Sequence, residues 1–418
     1  MSCSGLVLAP YVVYMVIAAG SAFFVGMLDP IVAVYYVRVV GLTPIELVLL
    51  GTVVEATSFV FQVPTGVLAD VYSRRWSVIV GYGLTGLCFT LQGLLPVLPV
   101  IAVAEFMRGV GRTAVNGALE AWIADEIGDR AATAAFVRYG QVRQVAGLAG
   151  TALGAGVATI GLGAPLAAGG VGLLAMVAFL VFAMPETPRE RRMEADRGSW
   201  HVMRATARAG AGVVRSRPML VTFLGLWFTF AVSSEGVDRL WEAHLLANFT
   251  FPTFAGLDPV VWFSAINVAF MLGSVLLAEV VRRRLDAGSH AAVARLLFAL
   301  SLVRVAGIIA FGLVGSFELA VACFMAREIA GRVSGPIFTG WVNRSLDPAT
   351  RATVLSMGGQ VDALGQLTGG PLIGMVGQLA SLRAAMVGAG LILAPSLPLI
   401  ARAAKQAPAE GKLVAAKG

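Results

Sequence analysis

The sequence predicts an all-α membrane protein of twelve transmembrane helices arranged as two pseudo-symmetric six-helix bundles. Three observations predict it. Long apolar runs recur along the 418 residues with short polar pieces between them. The basic residues gather at the ends of alternate runs. Residues of the first half also recur in the second at a near-constant offset. The chain is 58% hydrophobic and 13% charged, too little charge to cover the cores of a soluble protein of this length. A helix crosses about 30 Å of hydrocarbon with about 20 apolar residues, and the runs reach that length.

The runs and their breakers place the spans at 11–37, 45–69, 77–97, 100–124, 135–158, 166–184, 218–246, 260–281, 291–315, 318–343, 353–377 and 384–401. One long hydrophilic piece separates the sixth span from the seventh, giving a bundle at 1–184, a linker at 185–217, a bundle at 218–401 and a tail at 402–418. With the N-terminus inside, the loops on the inner side hold 22 Arg and Lys, and the outer side holds only Arg38 and Arg383. The positive-inside rule therefore puts both termini and the linker in the cytoplasm, with the chain in the inner or plasma membrane. Met1 to Pro10 carries no basic region or small-residue cleavage site, so the first span is expected to stay as an anchor.

A shift of 219 residues carries Gly140-Gln141-Val142 onto Gly359-Gln360-Val361, Trp122 onto Trp341, Gly150 onto Gly369 and Arg108 onto Arg327. With one inserted residue, Arg112 falls on Arg332 and Gly154 on Gly374. Duplicated halves of this kind place a binding site between them near the bilayer midplane and permit alternating access by rocking.

Several function classes drop out. The net charge of +7 is spread over span ends, with no block of mixed basic and aromatic residues to serve as a nucleic-acid surface. Cys3, Cys88 and Cys323 lack paired spacing, and His201, His244 and His290 lie far apart, so neither a metal nor a cofactor is expected. No phosphate-binding loop or nucleophile–base pair is visible, which argues against an enzyme. Trp200, His201 and Met203 in the basic stretch from Arg189 to Arg217 fit either an interfacial segment on anionic lipid or a solvated linker.

The end of the second span reads Gly66-Val67-Leu68-Ala69-Asp70-Val71-Tyr72-Ser73-Arg74-Arg75. It resembles the signature loop of the major facilitator superfamily, G-x-x-x-D-[RK]-x-G-[RK]-[RK], with Gly66, Asp70, Arg74 and Arg75 matching and Val71 and Ser73 departing. The resemblance implies a gating role. Gly66 would let a neighbouring helix approach, and Asp70 would accept hydrogen bonds from a helix N-terminus or an arginine of the facing half. Read alone, Arg74 and Arg75 are equally positive-inside anchors. Within the superfamily the chain looks most like bacterial drug–proton antiporters. Here Glu105 stands where that group often has an arginine before Gly109-Val110-Gly111, and the fifth span lacks that group's Gly-Pro.

Charges inside the spans are the remaining signal. Glu105, Arg108, Arg112, Asn116 and Glu120 share one helical face, as do Glu235, Asp238, Arg239 and Glu242. A charge at the centre of a span costs about 2.5–3.5 kcal/mol, so these groups must be paired or face a wet cavity. A structural lattice of ion pairs and a functional cavity are both open readings. Glu55 has no base on its own face of the second span, which makes it the first candidate for proton coupling, followed by Asp29, Glu235 and Asp362. Arg112, Arg332, Glu105, Gln141, Arg143 and Gln360 are the substrate-cavity candidates, with Trp227, Phe228, Phe230 and Trp262 as possible walls. The expected function is a monomeric proton-coupled transporter exporting a small amphipathic organic compound. Nutrient uptake and export of one metabolite or siderophore are the alternatives within transport, and a non-transporting membrane receptor or a membrane enzyme is the alternative from another class.

Overall fold

The computed structural model describes residues 8–187, 218–252, 260–286, 288–346 and 348–415, so most of the 185–217 linker, including Trp200, His201 and Met203, lies outside the described residues. The described residues form helices without strands. In order they are α1 (Pro10–Tyr35, continued by a π-helical turn at Tyr36–Val40), α2 (Pro44–Val71), α3 (Arg74–Leu94), α4 (Leu98–Val115), α5 (Ala118–Ile127), α6 (Asp129–Val157) and α7 (Ala164–Ala183). After the linker come α8 (Pro218–Asn248), α9 (Val260–Arg284), α10 (His290–Leu313), α11 (Phe317–Arg344), α12 (Pro348–Leu379), α13 (Leu382–Leu393) and α14 (Ser396–Ala415).

Local chemistry sets many of these boundaries. Thr43-Pro44-Ile45-Glu46 starts α2 as a capping box: the Thr43 N–H donates to the Glu46 carboxylate at 2.8 Å, and Pro44 opens the first turn without losing a helix donor. Ser73, Ser289 and Ser381 cap α3, α10 and α13 by accepting the N–H groups of Trp76, Ala292 and Ala384. The fourth span is not the continuous helix expected at 100–124. Asn116 turns extended and Gly117 takes φ +80°, a conformation that favours glycine, and α5 restarts behind them. The last span is likewise broken before Pro395, and its second piece runs on to Ala415, so the residues expected as a tail are helical from 402 to 415.

Among the described residues, eight segments are long and apolar enough to cross a membrane on their own composition. The spans outside that set are α4 with α5, α6, α11 and α12, the very spans that the 219-residue offset relates. A helix that lines a polar interior is expected to fail such a test.

The chain divides into two compact units. The first comprises Met1–Leu42, Val53–Ser199 and Thr253–Ala265; the second comprises Thr43–Thr52, Trp200–Pro252 and Ile266–Gly418. In the first, α6 lies tightly on α1. A Cβ added to Gly154 would sit 2.7 Å from the Met27 carbonyl carbon, one on Gly150 2.9 Å from that of Phe23, and Thr151 Oγ1 donates to the Gly26 carbonyl at 3.2 Å. In the second, α12 lies on α8 the same way, with Gly369 2.6 Å from the Val232 carbonyl carbon by the same measure. Lipid tails offer no hydrophobic drive for helix association, so close backbone approach through small residues takes its place. Trp122 and its repeat partner Trp341 are both buried, and each donates its indole N–H to a helix end, Trp122 to the Pro185 carbonyl and Trp341 to His290 Nδ1. The core of the second unit is built around Trp341, Phe223, Phe338 and Leu226.

Gly154→Leu should cost about 3 kcal/mol through overpacking against the α1 backbone. Gly140→Ala, whose new methyl meets open space, should leave stability equal or higher. Melting curves of the purified protein compare the two. Equal losses would mean that the glycine contacts do not hold α1 to α6.

Candidate functional site

In the first unit the most enclosed charge among the described residues is Glu105 on α4, 3% exposed. Its carboxylate accepts Arg108 Nε at 3.1 Å, a further Arg108 Nη2 bond, Gln92 Nε2 of α3 at 2.9 Å and the Tyr36 hydroxyl at 3.2 Å. The Tyr36 hydroxyl also lies 2.9 Å from Gln92 Oε1, and Arg108 rests 5.5 Å over the Phe89 ring. Tyr36 begins the π-helical turn that closes α1. This network ties the end of α1 to α3 and α4. Glu105, expected at a substrate cavity, is engaged in this structure by Arg108, Gln92 and Tyr36. Gln92, a lone amide in an apolar run, and Tyr36 were not singled out from sequence.

Glu55 lies on α2 and meets a base that the sequence pattern did not show. Arg112 of α4 donates from Nη1 to Glu55 Oε1 at 2.6 Å. The expectation of an unpartnered acid is corrected: helical periodicity reports only neighbours on the same helix, and the partner comes from another. The Glu55 side chain is 14% exposed and that of Arg112 46%, so this pair stays open to its surroundings where the Glu105 pair is closed. Glu120, placed by periodicity on the Arg112 face, instead accepts the Gly117 N–H at 3.0 Å and caps α5. The break at Gly117 moves it off that stripe. On α6, Arg143 lies over Tyr139 at 5.6 Å, and Gln141 accepts from Arg138 at 3.1 Å; both are exposed. Asp29 is exposed on α1.

The second unit holds a parallel set. Glu235, 6% exposed, accepts Arg239 Nε at 2.8 Å one turn along α8. This pair rests on the α2 backbone at Gly51, where a Cβ would meet the Glu235 carboxylate at 2.6 Å. Arg327, the repeat partner of Arg108, reaches Asp238 of α8 at 2.8 Å and also contacts Glu328. Arg332, the repeat partner of Arg112, lies 3.7 Å from Glu328 and stacks 4.6 Å over Phe270 of α9, with half its side chain exposed. Asp362 accepts Gln366 Nε2 at 2.7 Å within α12, and Gln360 is half-buried on the same helix. Among the aromatic candidates, Trp227 and Phe230 pack on Phe338, Phe228 is exposed and Trp262 is half-buried.

The α2–α3 connection is the other polar cluster. Arg74 donates to Asp70 Oδ1 at 2.8 Å and to Asp125 Oδ2 of α5 at 2.5 Å. Ser73 Oγ bonds Glu186 at 2.6 Å, Arg75 Nη2 reaches the Val181 carbonyl of α7 at 2.5 Å, and Thr187 N–H donates to Glu126 at 2.7 Å. The motif thus clamps the ends of α2, α3, α5 and α7 within the first unit. Two details differ from expectation. Asp70 is paired with Arg74 of its own loop, and a Cβ on Gly66 would meet nothing within 4 Å, so no neighbour among the described residues explains that glycine. Asp125, Glu126 and Glu186 complete the clamp; only their acidity beside two arginines could have flagged them.

Glu105→Ala leaves Arg108 without its carboxylate and should lower stability by about 3–5 kcal/mol. Glu55→Ala, at a more exposed pair, should cost about 1 kcal/mol or less. Denaturation of the two variants in detergent checks the ranking, and the reverse order would refute the contrast between a closed and an open pair.

The family model described as Major Facilitator Superfamily matches residues 14–319. No curated protein matches the chain. Among solved structures, the nucleoside transporter NupG superposes with a TM-score of 0.72 at 12% identity, over 96% of this chain and 99% of that one. A bacterial homologue of the human lysosomal transporter Spinster, inward-facing and unoccupied, gives 0.73 at 14% identity, over 96% and 98%. A POT family transporter in complex with 5-aminolevulinic acid gives 0.72 at 12% identity, over 95% and 96%. At such identities these likenesses speak for the fold alone. The matched family model covers most of the chain, its twelve spans take the expected all-helical form, and the protein is a multi-pass membrane transporter of the major facilitator superfamily rather than an enzyme.

Proposed function

We propose that this transporter couples inward proton flow to export of a small amphipathic organic compound across the plasma membrane. The observation that carries the reading is the Glu55–Arg112 pair, a 2.6 Å contact between α2 and α4 that stays open to its surroundings. Protonation of Glu55 would remove the charge that holds Arg112 and release the guanidinium to an incoming group. Deprotonation would restore the pair and displace that group. A carboxylate saturated by donors, as Glu105 is, resists such exchange. Asp29, Glu235 and Asp362 stand behind Glu55 as further proton sites, and Gln141, Arg143, Gln360 and Arg332 supply polar contacts for cargo. Phe270 beside Arg332 offers the aromatic surface that an amphipathic compound needs. In this reading the halves 1–184 and 218–401 alternate in access, and the α2–α3 clamp, broken and remade in the cycle, gates it. The outward direction is supported by the sequence resemblance to drug–proton antiporters.

The basic residues of the loops support an orientation with both termini in the cytoplasm. Pro96 and Asp286 are exposed residues of loops on opposite sides in that orientation. In a cysteine-free background, Pro96→Cys should be labelled by an impermeant maleimide from outside intact cells and Asp286→Cys only after permeabilisation. The opposite pattern inverts the topology.

Transport of a compound panel into or out of proteoliposomes under an imposed pH gradient tests the coupling. Glu55→Gln should abolish gradient-driven accumulation while leaving downhill exchange in place. Full gradient-driven transport by Glu55→Gln excludes Glu55 as the coupling acid, and accumulation in the direction of proton flow makes the protein a symporter.

A further inference from the structure

We propose that the second unit contains a binding site for an oxyanion, the carboxylate or phosphate of an organic ligand, centred on Arg304. Arg304 is 8% exposed on α10, and its guanidinium lies 4.9 Å over the Phe230 ring of α8. Its Nε–H has no acceptor among the described residues. One turn before it on the same face, Ser301 is fully buried, and its hydroxyl also lacks a partner among them. Across from them on α11, Arg327 is 4% exposed, and its Nε–H is a third unmatched donor.

These atoms belong to one place. α10 packs on α11 with Gly307 beside Arg327, and Gly331 beside Arg304, where an added Cβ would come 3.4 Å from the guanidinium Nε. The charges of Arg327 and Asp238 both act on Arg304. The nearby carboxylates are already committed, Asp238 to Arg327, and Glu328 to Arg327 and Arg332. Among the described residues no carboxylate forms an ion pair with Arg304, and three buried donors lack acceptors. Buried polar atoms are nearly always matched, so a surplus of donors and one surplus positive charge together call for a ligand that brings oxygen acceptors and a single negative charge. The Phe230 ring gives the apolar body of such a ligand a wall. None of these residues depends on the Glu55–Arg112 pair, and only the identification of the oxyanion as cargo rests on the proposed transport.

The full-length protein in phosphatidylcholine nanodiscs, titrated with benzoate, inorganic phosphate and neutral benzamide, tests the site. Benzoate or phosphate should raise the melting temperature and benzamide should not. Arg304→Gln should weaken that binding at least about tenfold, with Arg304→Lys intermediate and Ser301→Ala weaker than wild type. Without ligand, Arg304→Gln should melt at an equal or higher temperature, because it removes an unmatched buried charge; a purely structural arginine would give a lower one. Nanodiscs containing phosphatidylglycerol separate the two sources of oxyanion: competition with benzoate assigns the site to a lipid phosphate, and its absence to a soluble acid. Binding that is the same in wild type and Arg304→Gln, or no anion binding in either membrane, overturns the site. Arg304-dependent binding without transport of any compound would instead count against the transport reading and leave the site standing.

Discussion

Charge is expensive in hydrocarbon, and the interior of this protein is organised by that expense. A span made only of apolar residues satisfies the bilayer but can do nothing to a polar solute. Charges within the spans are engaged by polar partners: Glu55 with Arg112 between α2 and α4, Asp238 with Arg327 between α8 and α11, and Glu105 with Arg108 of its own helix and Gln92 of α3. Each set both neutralises a charge and fixes the approach of two helices. The same contacts that make the fold tolerable in lipid are the ones a proton or a ligand would have to disturb.

Close backbone packing supplies the rest of the cohesion. Lipid tails solvate leucine as well as another helix does, so the apolar surface of a span gives little preference for protein over lipid. The glycines of α6 against α1 and of α12 against α8 permit backbone contact in both units, at positions that the internal repeat relates. The repeat is therefore kept between halves where helices touch most closely. It diverges where charge is handled. Arg112 meets a carboxylate of another helix, whereas Arg332, its counterpart, lies near Glu328 of its own helix and over the face of Phe270. Arg108 is matched by Glu105 three residues before it, but that place in the second half is Phe324, and Arg327 turns to α8. The two halves share a scaffold and differ in their chemistry.

The break between α4 and α5 shows how one local choice redistributes function. Gly117 takes a positive φ, and Glu120 is spent on capping the new helix. In the second half, Pro336 stands 219 residues on from Gly117 inside a continuous α11. The same position is a point of weakness in both copies, opened in one and bridged in the other.

By itself the sequence determined the helical class, the rough order of the spans, the duplication and the family, because hydropathy, length and small-residue spacing act locally and are read along the chain. Glu46 beside Thr43 and Ser73 before α3 announce their caps for the same reason. Only the tertiary structure decided which charge meets which. Glu55 looked solitary on its own helix and is not, since Arg112 is 57 residues away in the chain and 2.6 Å away in space. For Arg304, only packing of α8, α10 and α11 around it reveals donors without acceptors among the described residues. Partner choice across helices depends on rotation and approach distance, which no periodicity along a single helix encodes.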